Sequence, residues 1–371
     1  MLFEMMNGEV VEEGWKSEAV KQSLDLCLSC KGCKGDCPVN VDMATYKAEF
    51  LARYYDGRLR PLRGYVLGYL DRWARAATHV PALANALTQT PVAALGRSLL
   101  GMASQRPLPR FARRSFQAGF RRHAPPTGQR PGVLLWPDTF NNYFHPQVAH
   151  AAVKVLEAAG WRVSVPTQHL CCGRPLYDFG FLDSAKKYLR RILAVLGEQI
   201  DAGTPVVVLE PACASVFRDE LANLFPDDER AMRLAAQTYF FDEFLDRHAP
   251  TFRPPAMGRS ALVHSHCHRK ALLGKHSGST LLARCGLTGT VLDSGCCGLA
   301  GSFGFEQEKY AVSMQIAELA LAPRVREAGD DVLIVADGFS CREQIAHCTG
   351  RTAWHPAQVL ALALHAGAEA R

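Results

Sequence analysis

Two Cys-Cys-Gly triplets, at residues 171–173 and 296–298, constrain the fold of this chain more than any other feature. Each triplet follows a short apolar run, and a helical stretch comes after it. A second apolar run then ends close to a single cysteine, Cys213 after the first triplet and Cys341 after the second. Internal duplication on this scale indicates two similar domains packed together instead of one large sheet.

The C-terminal part of the chain alternates between short apolar runs and helical stretches. Strands are predicted for the apolar runs that turn residues bound, namely GVLLWPD, WRVSV, PVVVLEP, SALVHSH, GTVLDSG and DVLIVADG. Intervening stretches such as HPQVAHAAVKVLEAAG have the apolar spacing of helices. Because strands that alternate with helices are typical of parallel α/β units, we expect two α/β cysteine-rich domains with small parallel sheets, at residues 131–255 and 256–371.

The N-terminal part differs, because apolar residues recur there at helical spacing and few β-branched runs interrupt them. We expect a helical domain at residues 1–105, with Asp42 as the N-cap of one helix. The most apolar stretch, residues 80–103, is interrupted by polar residues and a proline, which predicts a pair of amphipathic helices and no transmembrane helix. Residues 106–130 are rich in Arg, Pro and Gly and are expected to form a linker or an extended arm.

Thirteen cysteines is a high number for a chain whose N-terminus has no secretory signal. In a reducing cytoplasm such cysteines rarely form disulfides, and metal binding or catalysis is the usual reason for them. Their grouping also disfavours disulfides, since adjacent cysteines seldom bridge each other. The net charge of +6 is modest for 371 residues and does not by itself indicate nucleic acid. The sequence therefore predicts a cytoplasmic protein with metal or redox chemistry.

One short run near the N-terminus holds four cysteines, Cys27, Cys30, Cys33 and Cys37. Its spacing, C-x2-C-x2-C-x3-C-P, is that of bacterial ferredoxins and predicts a 4Fe–4S cluster. In two-cluster proteins the fourth cysteine ligates the other cluster, so Cys37 is expected either to close its own cluster or to join ligands outside this chain. Lys31 and Lys34 are expected to offset the cluster's negative charge. A structural zinc site is the alternative, although zinc sites usually separate two cysteine pairs by a longer loop.

A second set of candidate ligands belongs to the two Cys-Cys-Gly units. In the first unit the candidates are Asp138, Cys171, Cys172 and Cys213. In the second they are Cys267, Cys296, Cys297 and Cys341, with three histidines close in sequence, His264, His266 and His268. Each group is expected to converge at the carboxyl ends of strands, where open α/β sheets bind ligands. We predict a second iron–sulfur cluster or zinc there, with a different or weaker metal where Asp138 replaces Cys267. Buried inert cysteines are the alternative.

The remaining candidates receive structural interpretations. Cys285 and Cys348 are predicted to be core residues. Structural hydrogen bonds are expected for four lone histidines, His145, His169, His347 and His355. The seven arginines of residues 106–130 are expected to form a solvated surface, with docking to a partner or to anionic lipid head groups as the alternative. Nucleic acid is not expected, since no recognition fold and no aromatic-basic interleaving accompany these arginines.

Six segments resemble the iron–sulfur half of FAD-linked D-2-hydroxy-acid dehydrogenases, the enzymes of the D-lactate, D-2-hydroxyglutarate and glycolate type. They are LDLCLSCKGCKGDCPVNVDMATYKAEFL, WPDTFNNYFHP, CCGRPLYDFG, EPACASVFRDE, HSHCHRKA and CCGLAGSFGFE. The segments are also similar to the iron–sulfur subunits of glycolate oxidase and of anaerobic glycerol-3-phosphate dehydrogenase. The two Cys-Cys-Gly (CCG) units resemble those of heterodisulfide reductase, in which such motifs hold non-cubane clusters.

The resemblance implies a fold, cofactors and partners. The fold is an α-helical ferredoxin-like N-terminal domain followed by two duplicated CCG domains. Cys27, Cys30 and Cys33 would ligate a 4Fe–4S cluster. FAD on a flavoprotein partner or on an upstream domain would oxidise the hydroxy acid, and the iron–sulfur domains would pass the electrons singly to a quinone or a cytochrome. Such a protein is expected in the cytoplasm, with peripheral association at the inner face of the plasma membrane as the alternative.

The sequence departs from the family pattern in two respects. Family members carry another ferredoxin-like motif and a flavin domain before the segment that matches MLFEMMNGEV, and no Gly-rich dinucleotide fingerprint opens a βαβ unit here. The units of heterodisulfide reductase end in Cys-x2-Cys, whereas Val216 and Gln344 stand at those second positions. We therefore expect an electron-transfer subunit or fragment that is inactive alone. The alternatives are a self-standing reductase of the heterodisulfide-reductase type and a zinc-stabilised binding module.

Overall fold

Two four-stranded sheets lie at the centre of the computed structural model, which describes residues 1–274 and 279–369. The first sheet contains β1 Gly132–Trp136, β2 Arg162–Ser164, β3 Val206–Val208 and β4 Thr238–Phe240. The second contains β5 Ser260–His264, β6 Thr288–Val291, β7 Leu333–Ala336 and β8 Ala353–Trp354. The orders are β2-β1-β3-β4 and β6-β5-β7-β8, and all neighbouring strands are parallel. The repeated order confirms the predicted duplication into two α/β units with small parallel sheets.

The central strands are apolar on both faces. β3 is Val-Val-Val and β7 is Leu-Ile-Val-Ala, and every residue of both strands is buried. Parallel strands have this composition because helices cover both faces of the sheet. The outer strand β6, in contrast, is exposed at its first three residues. Burial on both faces therefore explains why the central strands gave the clearest apolar runs in the sequence.

Helices precede, separate and follow the strands. The N-terminal part contains α1 Leu2–Asn7, α2 Glu18–Asp25, α3 Gly32–Asp36, α4 Met43–Tyr54, α5 Leu62–Gly68, α6 Leu70–Ala77, α7 Pro81–Thr88, α8 Pro91–Leu99 and α9 Phe116–Phe120. The first unit contains α10 Thr139–Tyr143, α11 Pro146–Ala158, α12 Arg174–Asp178, α13 Leu182–Val195, α14 Gly197–Asp201, α15 Pro211–Ser215, a π-helical turn Val216–Glu220, α16 Leu221–Leu224, α17 Glu229–Gln237 and α18 Phe241–His248. The second contains α19 Cys267–Leu273, α20 Ser279–Arg284, α21 Tyr310–Leu319, α22 Leu321–Glu327, α23 Phe339–Thr349 and α24 Pro356–Glu369.

Helix α4 begins where the sequence predicted. Asp42 is the N-cap of α4, and its Oδ1 accepts hydrogen bonds of 3.1 Å from the backbone N–H groups of Ala44 and Thr45. These bonds satisfy two donors that a helix start otherwise leaves without partners. The stretch 80–103 forms the pair α7 and α8 instead of one long helix. Among the helices of the described ranges, none has the length and apolarity needed to cross a bilayer.

One hydrophobic core runs through both units. Helix α11 of the first unit packs against α24 of the second, and the same buried cluster contains Leu156, Phe244, Val335 and Leu360. Because apolar surface from both sheets is removed from water together, separating the units would expose part of each core. The two units are therefore held in one orientation by shared packing.

The arginine-rich segment 106–130 is more structured than the predicted linker or extended arm. It contains α9, which packs against α11 through the fully buried Phe116. Arg106 is also buried, and its Nε donates a hydrogen bond of 2.8 Å to the Gly304 carbonyl. The prediction that these arginines form a solvated surface is therefore wrong for Arg106. It is confirmed for the five exposed arginines of the segment, Arg110, Arg113, Arg114, Arg121 and Arg122.

Candidate functional site

Loops at the carboxyl ends of both sheets border one cavity of about 320 Å³. The ends of β3 and β7 meet there, since Oε2 of Glu210 accepts a hydrogen bond of 2.8 Å from the backbone N–H of Phe339. Cys30 of the N-terminal run lines the same cavity. Six of the predicted CCG ligands also line it, Cys171, Cys172, Cys213, Cys267, Cys296 and Cys297. Tertiary structure thus brings together thiols from three separate segments.

The two units are equivalent position by position after their first strands, and this alignment corrects one prediction. Asp138 and His266 both cap the following helix: Oδ1 of Asp138 accepts from the N–H of Asn141 at 2.9 Å, and Nδ1 of His266 accepts from that of His268 at 3.1 Å. Thr139 and Cys267, one residue later, are therefore equivalent. The residue that replaces Cys267 in the first unit is Thr139, and the prediction that Asp138 replaces it was wrong.

The two CCG turns have the same local geometry. Gly173 and Gly298 have φ angles of +79° and +89°, which favour glycine because a side chain is strained there. Each glycine turns its backbone N–H towards the first cysteine of its own triplet. The distances from N to Sγ are 3.5 Å to Cys171 and 3.4 Å to Cys296. An N–H directed at a cysteine sulfur favours the thiolate, which is the form that binds metals.

We expect Gly298→Ala to destabilise the protein more than Gly173→Ala. Both variants place a side chain at positive φ, at a cost of about 1–2 kcal/mol. At position 298 the new Cβ would also lie 2.2 Å from the Ser313 carbonyl oxygen, whereas at position 173 the nearest atom is Cα of Ala185 at 3.5 Å. The backbone overlap should add about 1–3 kcal/mol. Urea unfolding followed by circular dichroism measures the difference, and equal losses for the two variants would contradict it.

The second unit links its four cysteines by a chain of contacts, from Cys267 to Cys296, from Cys296 to Cys297 and from Cys297 to Cys341. Contact with Cys296 lowers the pKa of Cys267, and contact with Cys296 and Cys341 lowers that of Cys297, both well below the ordinary thiol value. The same contacts raise the pKa of Cys296, and the contact with Cys297 raises that of Cys341. His266 Nδ1 lies 3.8 Å from Cys267 Sγ. The second unit therefore has two sulfurs that favour the thiolate, Cys267 and Cys297, and two that favour the neutral thiol, Cys296 and Cys341.

The first unit has three cysteines and a hydroxyl in the corresponding place. Cys172 Sγ lies 2.9 Å from Cys213 Sγ, and Thr139 Oγ1 donates to Cys171 Sγ at 3.6 Å. Burial raises the pKa of Cys172, and contact with Cys172 together with burial raises that of Cys171. Burial also raises the pKa of Glu210, which lines the cavity beside them, to about 7. The first unit is therefore a three-thiol site that favours neutral groups.

The N-terminal loop contacts both CCG units through the Ser29 carbonyl. This oxygen accepts hydrogen bonds of 3.0 Å from Arg174 Nη2, directly after the first CCG turn, and from His268 Nε2, directly after Cys267. The next residue, Cys30, is close to the second unit, where burial and the charge of Cys267 raise its pKa to about 11. The Cys30 thiol is thus part of the same assembly as the second unit's cysteines.

Lys31 has a different environment from the one predicted. Its side chain is fully buried, and its Nζ lies 3.1 Å from Asp42, 2.5 Å from Asp219 and 2.9 Å from Glu220. The two acids of the first unit are on the π-helical turn Val216–Glu220. Burial alone would lower the pKa of Lys31, but the negative charges of Glu220 and Asp219 raise it. Three carboxylates therefore neutralise the positive charge of Lys31. The prediction that Lys31 offsets a cluster's negative charge was wrong. Its ion pairs instead hold the N-terminal loop against the first unit.

The other cysteines of the run lie within α3 or before and after it in the sequence. The carbonyl of Cys27 accepts a hydrogen bond of 2.7 Å from Lys47 Nζ, and Cys33 lies within α3. Cys37 follows the helix, and its N–H donates to the Cys33 carbonyl at 2.8 Å. Backbone N–H groups of Val41 and Val39 lower the pKa of Cys37. These N–H groups favour a thiolate at Cys37.

The residues with structural interpretations are hydrogen-bonded or packed. Nε2 of His169 contacts Asp71 and its Nδ1 contacts the Tyr143 hydroxyl, both at 2.9 Å. His355 Nε2 donates to the Leu209 carbonyl at 3.1 Å. His347 contacts the Tyr310 hydroxyl, and His145 lies 3.3 Å from Glu343. Cys285 is buried, as predicted, whereas Cys348 is only partly buried.

The donor set suits an iron–sulfur cluster. Within residues 1–274 and 279–369, no group of three or more His, Cys, Asp or Glu side chains is arranged to hold a single metal ion. The thiols instead border a cavity large enough for a cofactor with several atoms, and backbone N–H groups are directed at two of them. Clusters of this kind are held by thiolates and tuned by N–H groups. The second unit, with four thiols, fits such a group better than the first.

The CCG family, described as a cysteine-rich domain, matches this chain at residues 138–218 and 262–346. Each match contains one CCG turn and the cysteine near the start of the helix that follows β3 or β7, Cys213 or Cys341. The two α/β units are therefore two CCG domains.

Several relatives match over most of the chain. The D-2-hydroxyglutarate dehydrogenase of Pseudomonas putida is 29% identical over 93% of this chain, and the match covers 34% of that protein. A subunit of the anaerobic glycerol-3-phosphate dehydrogenase of Escherichia coli K12 is 31% identical over 84% of this chain and 79% of the relative. Lactate utilization protein A of Bacillus licheniformis is 32% identical over 59% of this chain and 92% of the relative.

The coverage of these relatives differs. The chain spans about a third of the length of the D-2-hydroxyglutarate dehydrogenase and most of the length of the other two. The matched relatives agree with the resemblance that the cysteine motifs indicate. This chain belongs to the family of CCG-domain proteins that includes lactate utilization protein A and the matched subunit of anaerobic glycerol-3-phosphate dehydrogenase.

Proposed function

We propose that this chain is an electron-transfer protein, with iron–sulfur clusters as its carriers, that serves a flavin-dependent dehydrogenase. The observation that carries the proposal is the single cavity bordered by thiols from the N-terminal loop and from both CCG domains. Electron transfer requires neighbouring centres, and thiols around one cavity can hold clusters near each other. Five of the seven CCG cysteines are buried, which limits the access of water to these centres.

The proposed sites follow the three groups of thiols. We propose that Cys27, Cys30 and Cys33 hold a 4Fe–4S cluster. The fourth ligand of this cluster is either Cys37 or a group that a partner supplies. A second cluster is proposed in the second CCG domain, on Cys267, Cys296, Cys297 and Cys341. The first CCG domain is proposed to hold a different or weaker metal on Cys171, Cys172 and Cys213, because Thr139 cannot supply a thiolate.

The proposed partners follow from the relatives' names. One relative is named as a dehydrogenase and another as a dehydrogenase subunit, which supports a partner dehydrogenase for this chain. We propose that FAD is held by that flavoprotein or by another domain, and that it oxidises a 2-hydroxy acid. Electrons would then leave this chain towards a quinone or a cytochrome.

Anaerobic purification with iron and sulfide analysis and EPR tests this proposal. We expect more than about four irons per chain, because one 4Fe–4S cluster accounts for four. We also expect two distinct EPR signals after reduction. Cys296→Ser should remove one signal and leave the other, while Cys285→Ala, at a buried cysteine outside the three thiol groups, should keep both. Zinc without iron or acid-labile sulfide would contradict the proposal and support a zinc-stabilised module.

The cavity favours a second candidate, a self-standing reductase for a small disulfide or another small molecule. Its volume of about 320 Å³ is within the range of small-molecule sites, and thiols of both CCG domains line it. This function predicts turnover of a small substrate with an artificial electron donor and no flavoprotein. Turnover that requires the flavoprotein would support the electron-transfer function instead.

A further inference from the structure

The two lysines of the N-terminal cysteine run form ion pairs with nearby carboxylates. Lys31 is surrounded by three carboxylates. Lys34 Nζ lies 2.6 Å from Asp219 and 3.9 Å from Asp42. A cluster held by thiolates has a net negative charge, and this charge is one of the factors that set its reduction potential. Because both lysines are paired with acids, the run itself adds little net positive charge beside its thiols.

Lys47, on α4, places a buried cation beside the first cysteine of the run. Its Nζ donates a hydrogen bond of 2.7 Å to the Cys27 carbonyl, and only 8% of the residue is exposed. Across residues 1–274 and 279–369, no ion pair joins Lys47 to a carboxylate. Burial and the charge of Lys309 lower the pKa of Lys47, whereas the negative charge of Cys27 opposes this shift. A buried lysine without an ion pair is unusual in a folded protein.

The pocket beside Lys47 has an excess of positive charge. Its volume is about 80 Å³, and Cys27 lines it together with five lysines and arginines and three acids. Each of the three acids is paired with a cation other than Lys47: Asp25 with Lys21, Asp178 with Arg174, and Glu306 with Lys309. The charge of Lys47 is therefore left without a carboxylate partner, next to a cysteine that is a proposed cluster ligand.

We propose that the charge of Lys47 raises the reduction potential of the 4Fe–4S cluster on Cys27, Cys30 and Cys33. This inference rests on the proposed function, because it requires that cluster. Reduction adds one electron to the cluster, while Lys47 keeps its proton and neither forms nor breaks a bond. A cation nearby stabilises the added negative charge, and burial reduces the screening by water and salt. Lys47 is a positioning residue, since its contact is the Cys27 carbonyl.

A purely structural role for Lys47 makes a different prediction. Cys27 lies two residues after the end of α2, and lysines often donate to the last carbonyls of a helix. Loss of such a contact would loosen the loop and lower the amount of cluster in the protein. The clusters that still form would keep their reduction potential. A potential therefore separates the two roles, whereas stability and iron content do not.

An EPR-monitored redox titration of the anaerobically purified full chain tests the proposal. The signal to follow is the one that Cys296→Ser leaves in place. Lys47→Met removes the charge at a similar side-chain length. It should lower the equilibrium constant for one-electron reduction by about tenfold, which is a shift of about 59 mV to more negative potential. Lys47→Arg keeps the charge and should keep the wild-type potential.

Lys16→Met is the matched control, because Lys16 also donates to main-chain carbonyls, those of Arg53, Tyr54 and Asp56. These carbonyls lie at the C-terminal end of α4, about 10 Å along the helix axis from Lys47. Lys16→Met should therefore keep the wild-type potential. An equal shift in this control would show a general effect of net charge and would overturn the inference.

The titration distinguishes failure of this inference from failure of the proposed function. An unchanged potential in Lys47→Met, with the signal present, would overturn the inference and leave the proposed electron-transfer function in place. If wild-type protein lacks this signal and contains no iron or acid-labile sulfide, the proposed function is wrong and the inference is overturned with it.

Discussion

Replacing Lys31 with methionine is expected to lower the free energy of unfolding at pH 7 by about 3–5 kcal/mol. The Lys31 side chain has no exposed area, and its Nζ lies within 3.1 Å of the carboxylates of Asp42, Asp219 and Glu220. Methionine fills a similar volume but removes the one cation that all three carboxylates share: Glu220 keeps Arg174 and Asp219 keeps Lys34, whereas Asp42 keeps only Lys34 at 3.9 Å. A buried charge without its partner costs far more than the pair itself contributes, which is why the loss should be large.

Lys34→Met is the matched control for Lys31→Met. Lys34 Nζ lies 2.6 Å from the same Asp219, but its side chain is 26% exposed. Water can replace part of that interaction, so we expect a loss of about 1 kcal/mol or less. Urea unfolding followed by circular dichroism measures both variants. Equal losses would show that burial of Lys31 does not control the interaction.

The pH dependence of the Lys31→Met effect has a defined sign. Burial alone would raise the pKa values of Asp42 and Asp219 in the folded protein. The neighbouring charge of Lys31 lowers both of them instead. The stability that a lowered carboxyl pKa contributes is present above the unfolded pKa and is lost as the pH falls through the folded one. The difference between wild type and Lys31→Met should therefore stay constant down to the ordinary aspartate value of 3.8 and shrink as the pH falls below it, through the lowered pKa values of Asp42 and Asp219. A difference that grows on acidification would contradict this assignment.

Exchanging the residues at positions 139 and 267 is expected to move metal-binding capacity between the two CCG domains. Cys267→Thr gives the second domain the hydroxyl of the first, so it should lose the second domain's EPR signal and about one cluster's iron per chain. Thr139→Cys supplies the first domain with a fourth thiol next to Cys171, which Thr139 Oγ1 now contacts at 3.6 Å. That variant should gain iron or a new EPR signal.

The control for this exchange is Cys285→Ala, which removes a buried thiol without changing either site. Iron content and EPR of the three anaerobically purified variants decide the outcome. Full iron and an unchanged spectrum in Cys267→Thr would show that Cys267 is not a ligand. An unchanged Thr139→Cys protein would show that the missing thiol is not what distinguishes the first domain.

Much of the fold could be predicted from local sequence patterns. Central strands such as β3 and β7 are short apolar runs between turn residues, because both of their faces are buried. The strand β4 was not predicted because it lies directly between α17 and α18 with no turn residue to bound it, and β8 was not predicted because it contains only two residues. Such short strands form where β3 and β7 offer a partner, and propensity over so few residues is weak.

The contacts within the candidate site could be predicted less well. The sequence located the CCG turns and the cysteines after the strands, but it matched Cys267 with Asp138 instead of Thr139. The difference is one residue, and only the two helix caps of Asp138 and His266 define the alignment. Glu210 carries one signal that was missed, an acid two residues after a buried strand and three residues before Cys213.

The sequence by itself determined the duplicated α/β architecture and the loops that carry the thiols, because strand, helix and turn preferences act between residues close in the chain. Only the tertiary structure decided which groups meet. Lys31 and Asp219 are 188 positions apart, and Ser29 and His268 are 239 apart. Such contacts leave no periodic pattern in the sequence, since they depend on how the finished domains pack. The N-terminal cysteines therefore indicated the chemical class of ligand, while packing decided that Cys30 lies beside Cys267.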